Sequence, residues 1–186
     1  MNIPNWITFS RLLGLPLILY FLHDPTPNHR LISAVIFLIA ASTDWLDGYL
    51  ARKLNQITDL GKFLDPLVDK LLVFAPLLAL IELGQIPAWG VFLILFRELA
   101  IAGWRVNPQL TGSSRISGAN FWGKLKTVSQ ISAIAVLIAP LPSSWTTPGL
   151  ILFWVSVMLT LISGLIYVWP QNADKMSSST EKSISA

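Results

Sequence analysis

The chain has 186 residues, of which 53% are hydrophobic and only 12% charged, and its mean hydropathy is +0.61. That composition excludes an ordinary soluble protein and points to a single membrane-embedded domain. With no cysteine there are no disulfides, thiolate metal sites or cysteine nucleophiles, and a net charge of +3 is too small to indicate a nucleic-acid partner.

A helix needs about 20 apolar residues to cross about 30 Å of hydrocarbon. Six runs approach that length, near Ile7–Leu22, Leu31–Trp45, Leu64–Leu83, Ile86–Ala102, Val128–Ala139 and Pro148–Trp169. The first has one charge, Arg11, ahead of its apolar run and no small-residue cleavage site after it, so it is expected to stay as an anchor. Two runs are short. Leu31–Trp45 is expected to continue through its polar end and Val128–Ala139 to extend back toward Gly123. Turn residues mark the breaks "HDPTPNHR", "GQIP" and "PLPSSWTTP". The closing "QNADKMSSSTEKSISA" reads as a polar, disordered tail over 171–186, leaving a membrane domain over 1–170 without internal repeats.

The expected fold is therefore all-α and polytopic, with six transmembrane helices. Cytoplasmic loops carry the excess of Lys and Arg. With the N-terminus inside, Arg11, Arg52, Lys53, Lys62, Arg97, Arg105, Arg115, Lys124, Lys126, Lys175 and Lys182 fall on the cytoplasmic side and only Arg30 outside, so both termini are expected in the cytoplasm. Trp6, Trp45, Trp89, Trp104, Trp145 and Trp169 sit near proposed span ends, where amphipathic rings favour the headgroup layer; Trp154 does not fit.

Charge is concentrated in "DWLDGYLARKLNQITDLGKFLDPLVDK", which begins at Asp44 on that cytoplasmic side. Helical spacing puts Asp44, Asp47, Gly48, Ala51 and Arg52 on one face, and Asp65 and Asp69 on one face of the next helix. Four facing carboxylates repel, and burying even one without compensation costs several kcal/mol, so cations or protons must neutralise them. Oxygen-only donors suit Mg²⁺ or Mn²⁺. With both histidines expected in the external loop, zinc and copper are poor fits. Gly48 removes a side chain where a ligand can approach the backbone. The plainer reading is helix capping or pairing with Arg52, Lys53, Lys62 and Lys70, and it suits Asp59. For the other four aspartates function is the stronger reading, since ionisable residues at membrane depth usually serve it. From the residues alone this is a cytoplasm-facing divalent-cation site, open to an enzyme or to a cation transporter.

The stretch Asp44-x2-Asp47-Gly48-x2-Ala51-Arg52, then eight residues and Gly61-x3-Asp65-x3-Asp69, resembles the full signature of the CDP-alcohol phosphatidyltransferases, with every spacing kept. "NIPNWITFSR", "RELAIAGWR" and "GKLKT" are similar to the branch of that family that makes phosphatidylglycerophosphate, while the last helix and tail add nothing diagnostic. The resemblance implies a six-helix homodimeric membrane enzyme that moves the phosphatidyl group of CDP-diacylglycerol to the 1-hydroxyl of sn-glycerol 3-phosphate and releases CMP. It implies two ions, Mg²⁺ or Mn²⁺, held by Asp44, Asp47, Asp65 and Asp69, with Asp69 also taking the proton of the attacking hydroxyl. It carries CDP binding over to Gly48 as the close approach, Arg52 at the phosphates, and Thr58 and Gly61 at the cytidine end.

Asn5, Thr8 and Arg11 recur at three-residue spacing and are placed to line the same pocket; a snorkelling role is the plainer alternative for Arg11. Arg97, Arg105, Lys124 and Lys126 form the basic set expected to grip the phosphate of glycerol 3-phosphate, although loop topology also calls for basic residues there and Glu98 competes for Arg97. Arg115 is left to topology or anionic headgroups. The motif offers no serine, histidine or cysteine as a covalent nucleophile, which favours direct sequential displacement. Membrane lipids are the other expected partners, and nucleic acid is not. Rival acceptors are phosphatidylglycerol and inositol phosphate. A transporter is the rival from another class, disfavoured by the single copy of the motif.

Overall fold

A chain that meets lipid must satisfy its backbone polar groups internally, and long apolar runs do so as helices. The computed structural model describes residues 3–54, 59–106 and 121–168, with side chains described over 8–43, 64–103 and 123–166. The described residues are all-helical. In chain order they form α1 (Ile3–His23), α2 (Pro27–Leu54), α3 (Asp59–Glu82), α4 (Ala88–Val106), α5 (Phe121–Ile138), a 3-10 turn (Ser143–Trp145) and α6 (Thr146–Val168).

Each helix covers all or nearly all of one of the six apolar runs, and the ends differ from the runs for local reasons. α2 continues through its polar end to Leu54, so Asp44, Asp47 and Arg52 lie in its last turns, and α5 starts at Phe121, ahead of Gly123. The break after α1 is shorter than "HDPTPNHR". Pro27 opens α2, where its missing N–H costs nothing, and Thr26 caps the helix by accepting from the His29 amide at 3.3 Å. Two residues past the end of α3, Gly84 has a φ of 67°, which lets the Gln85 amide reach Leu80 O and the Gly84 amide reach Ile81 O, both at 2.9 Å.

α1 packs against α2 and α3, α4 against α3 and α6, and α5 against α2, α3 and α6. Ile18, Phe37, Leu80, Ile94, Ile134 and Phe153 form the centre of the core, all fully buried. In lipid, helices associate through close packing, and small residues permit it. An added Cβ at Gly90 would lie 2.8 Å from two Phe153 ring atoms, and one at Gly149 would lie 2.7 Å from Leu137 Cδ2. Trp154 belongs to this packing, which is why it ignores the span ends: its ring lies 4.4 Å from that of Trp89 and joins α6 to α4.

The outer faces are apolar. Leu13, Leu17 and Tyr20 on α1, Phe92, Phe96 and Leu99 on α4, and Met158 and Leu165 on α6 are all exposed. Contiguous apolar surface of this kind suits lipid and not water. Among the described residues one stretch, Ser143–Ile166 with a mean hydropathy of 2.3, is long and apolar enough by itself to cross a bilayer, and Thr8–His23 is a shorter apolar helix. Arg30 donates to the carbonyls of Leu137 (2.6 Å) and Ile138 (3.0 Å), covering the C-terminal end of α5. Lys126 lies near the other end of that helix, about 18 Å away at 1.5 Å per residue. Arg30 and Lys126 therefore mark opposite ends of the bundle.

Candidate active site

Thr8 and Arg11 are three residues apart on α1, and Asp65 and Asp69 four apart on α3, so each pair shares a helical face. The packing of α1 on α3 brings these faces together. Thr8 Oγ1 donates to Asp65 Oδ1 at 2.8 Å, and Arg11 Nη1 donates to Asp69 Oδ1 at 2.9 Å. Thr8 and Arg11 are buried, whereas both aspartates are partly open. The donors thus orient the two carboxylates from behind. An ionised carboxylate has about four lone-pair sites, so it can accept such a bond and still bind a cation. The donor set is oxygen-only and fits a hard divalent ion.

Asp69 also lines a half-open cavity of about 330 Å³ bordered by α2, α3, α4 and α5. Phe37, Phe74 and Ile94 contribute apolar wall, and Lys70, Glu98 and Lys126 contribute charge. That volume suits a small molecule, and apolar walls with a few convergent polar groups are what such sites need.

Beside the cavity, Glu98 joins two cations. Its Oε1 accepts from Arg97 Nη1 at 2.8 Å and from Lys126 Nζ. Arg97 Nη2 donates to Ser163 Oγ at 2.9 Å on α6, and Gln130 Nε2 donates to Thr160 Oγ1 at 3.2 Å. A carboxylate, a lysine and an arginine from two helices are held as one group, with Lys126 buried and Arg97 and Glu98 partly so.

The family model described as CDP-alcohol phosphatidyltransferase matches residues 1–162. The chain belongs to the CDP-alcohol phosphatidyltransferase family. Among its relatives, the CDP-diacylglycerol–glycerol-3-phosphate 3-phosphatidyltransferase of Bacillus subtilis (strain 168) is 42% identical over 182 residues, covering 89% of this chain and 93% of the relative. The protein of the same name from Salmonella choleraesuis (strain SC-B67) is 36% identical over 178 residues, covering 93% and 96%. That from Rickettsia bellii (strain RML369-C) is 34% identical over 170 residues, covering 89% and 93%. CDP-alcohol phosphatidyltransferases generally use divalent metal ions, in keeping with the oxygen donors of Asp65 and Asp69.

Of the residues expected from the family signature and its flanks, the structure brings Thr8, Asp65 and Asp69 into contact across α1 and α3, and sets Lys126 in the same cavity as Asp69. Lys124 is exposed and stands apart from the cavity lining, as does Arg97, which lies against α6. The backbones of Asn5 (α1), Asp44, Asp47, Gly48 and Arg52 (α2), Gly61 (α3) and Arg105 (α4) are helical; their side chains lie outside the described residues, as do Thr58, Arg115 and the tail.

Sequence reasoning missed three features. Lys70 reads in the sequence as a pairing partner, yet it lines the cavity. Glu98 reads as a partner of Arg97, yet it also holds Lys126, 28 residues away. Ser163 and Thr160 lie inside the last apolar helix, where hydroxyls at helical spacing are the signal in the sequence and the structure buries them.

Proposed function

We propose that the chain transfers the phosphatidyl group of CDP-diacylglycerol to sn-glycerol 3-phosphate, giving phosphatidylglycerophosphate and CMP. The observation that carries this reading is that Asp69, oriented by Arg11, shares one cavity with the cation Lys126. The relatives' names supply the two substrates, and this chain matches nine-tenths of their length.

In this reading Asp44, Asp47, Asp65 and Asp69 hold two ions, Mg²⁺ or Mn²⁺, which when bound neutralise the pyrophosphate charge. Asp69 accepts the proton of the attacking 1-hydroxyl, for which a carboxylate within hydrogen-bond reach is required. The hydroxyl oxygen bonds to the phosphatidyl phosphorus as the bond to the CMP oxygen breaks, with no covalent enzyme intermediate. Arg52 donates its planar fork to the CDP phosphates. Asn5, Thr8, Gly48, Thr58 and Gly61 line the CDP-diacylglycerol site, Thr8 also by holding Asp65. Lys126 and Arg105 grip the acceptor's phosphate, with Lys124 at the rim and Arg97 behind.

The reading includes six membrane spans over 1–170 with both termini and the carboxylate end in the cytoplasm, a polar tail over 171–186, and a homodimer. The six helices, their exposed apolar faces and the placing of Arg30 at the far end support the topology. The deciding experiment supplies purified protein with CDP-diacylglycerol, a divalent ion and one acceptor at a time, and measures CMP. Release with glycerol 3-phosphate alone is expected. Release preferring phosphatidylglycerol or inositol phosphate would replace the acceptor, and divalent-ion flux into vesicles without CMP would indicate a transporter.

A further inference from the structure

The last helix presents a row of acceptors to its neighbours. Ser156, Thr160 and Ser163 are buried at four- and three-residue spacing on α6. Each hydroxyl donates back to its own helix: Ser156 to Phe153 O at 2.7 Å, Thr160 to Ser156 O at 2.7 Å, and Ser163 to Thr160 O at 3.1 Å. With the proton committed, the oxygen's remaining lone pairs can only accept. Ser163 uses one for Arg97 Nη2. The next residue is Gly164, where a Cβ would lie 2.9 Å from Arg97 Cγ and 3.2 Å from Nε. The arginine side chain therefore lies in a notch that only a residue without a side chain leaves open.

The other edge of that guanidinium holds Glu98 Oε1, the same oxygen that accepts from Lys126. Glu98 and Lys126 line the cavity and Arg97 does not. A Glu98–Lys126 pair alone would cancel. With Arg97 added, the group carries one net positive charge, and the lysine that faces the cavity keeps attraction for an anion. A largely buried charged triad is a poor device for stability, since apolar side chains of the same shape often serve as well. Its place beside the cavity calls for a functional account.

We infer that Arg97 is a positioning residue and not a phosphate ligand: seated in the Ser163–Gly164 notch of α6, it engages the Glu98 carboxylate, so that Glu98 does not cancel the attraction of Lys126 for the acceptor's phosphate. This rests on the acceptor reading above. It also brings Ser163 and Gly164 of the last helix, just beyond the matched residues 1–162, into substrate selection.

The test measures KM for glycerol 3-phosphate and for CDP-diacylglycerol in purified Arg97→Ala, Glu98→Gln, the double variant and Gly164→Ala. Arg97→Ala, which leaves Glu98 to cancel Lys126, is expected to raise KM for glycerol 3-phosphate by about tenfold, the size of one lost charge-assisted contact, whereas Glu98→Gln, which removes the opposing charge, is expected not to raise it; KM for CDP-diacylglycerol should stay within about twofold in both. Because Arg97 acts through Glu98, adding Arg97→Ala to Glu98→Gln is expected to change KM by less than about twofold; residues in one network couple in this way. Gly164→Ala, which displaces Arg97 without touching the cavity, is expected to raise the same KM. Should it fail to fold, Ser163→Ala, which removes one bond without crowding, is read instead and is expected to act in the same direction. Multiplying effects at 97 and 98, or a wild-type KM in a folded notch variant, would overturn the positioning role. Lys126→Ala separates the two levels. If it leaves KM for glycerol 3-phosphate unchanged, the acceptor reading itself fails; if it raises KM while the 97/98 effects multiply, only the role given to Arg97 fails.

Discussion

Arg11 of α1 is sealed from solvent, with its side chain 1% exposed, yet the Asp69 carboxylate to which it donates at 2.9 Å is 43% exposed. The cation is fixed in the helix interface and the anion projects from it. A buried guanidinium behind a partly open carboxylate sets the direction of that carboxylate without covering it. A snorkelling arginine would have its head in the interfacial layer, so the burial of Arg11 argues for the orienting role.

Arg11→Met keeps the length of the side chain and removes its donors. Residues that orient a reacting carboxylate typically contribute about 10–100-fold, and a loss of turnover of that order is expected. The divalent-ion concentration giving half-maximal activity should rise as well. Unchanged turnover and ion response in a folded variant would return Arg11 to a purely structural role.

Asp69→Asn is expected to lose most turnover, by about 10²–10⁴-fold if the proton transfer is lost, while the protein still binds CDP-diacylglycerol. Substrate binding without chemistry is the signature, read by equilibrium binding beside CMP release. Near-normal turnover would mean that another group takes the proton.

Removal of divalent ions with excess chelator is expected to stop transfer, and adding Mg²⁺ or Mn²⁺ back to restore it. In the proposed site Arg52 and Arg11 would supply at most two positive charges, too few to offset the pyrophosphate together with four aspartates. Full activity in chelator would remove the ions from the site.

The helices were legible because a membrane chain writes them as long apolar runs, and the Asp65–Asp69 pair because four-residue spacing on a helix needs no tertiary information. Which helix face meets which was not legible. Thr8 reaches Asp65 across 57 residues and Arg97 reaches Ser163 across 66, and no local spacing encodes those meetings. Lys126 and Lys124 both belong to the basic set of "GKLKT", but two residues of separation put them on different sides of a helix, and the sequence does not encode which side faces a cavity. Packing buries Lys126 against Glu98 and leaves Lys124 exposed.

That difference gives the sharpest comparison. Lys126→Ala removes the ammonium that faces the cavity and leaves Glu98 paired with Arg97, so the fold is expected to survive. The acceptor's phosphate is remote from the reacting hydroxyl, so its grip acts through binding and orientation and leaves the proton transfer at Asp69 in place. KM for glycerol 3-phosphate should rise by an amount equivalent to about 1–3 kcal/mol, the range for a charge-assisted hydrogen bond, and KM for CDP-diacylglycerol should hold. Lys124→Ala, an exposed cation, should cost only a few tenths of a kcal/mol, roughly the scale of a surface charge, and that cost should vanish in high salt. If the two variants weaken glycerol 3-phosphate equally, or Lys124→Ala more, the acceptor binds along the exposed rim of α5 and not in the cavity beside Asp69.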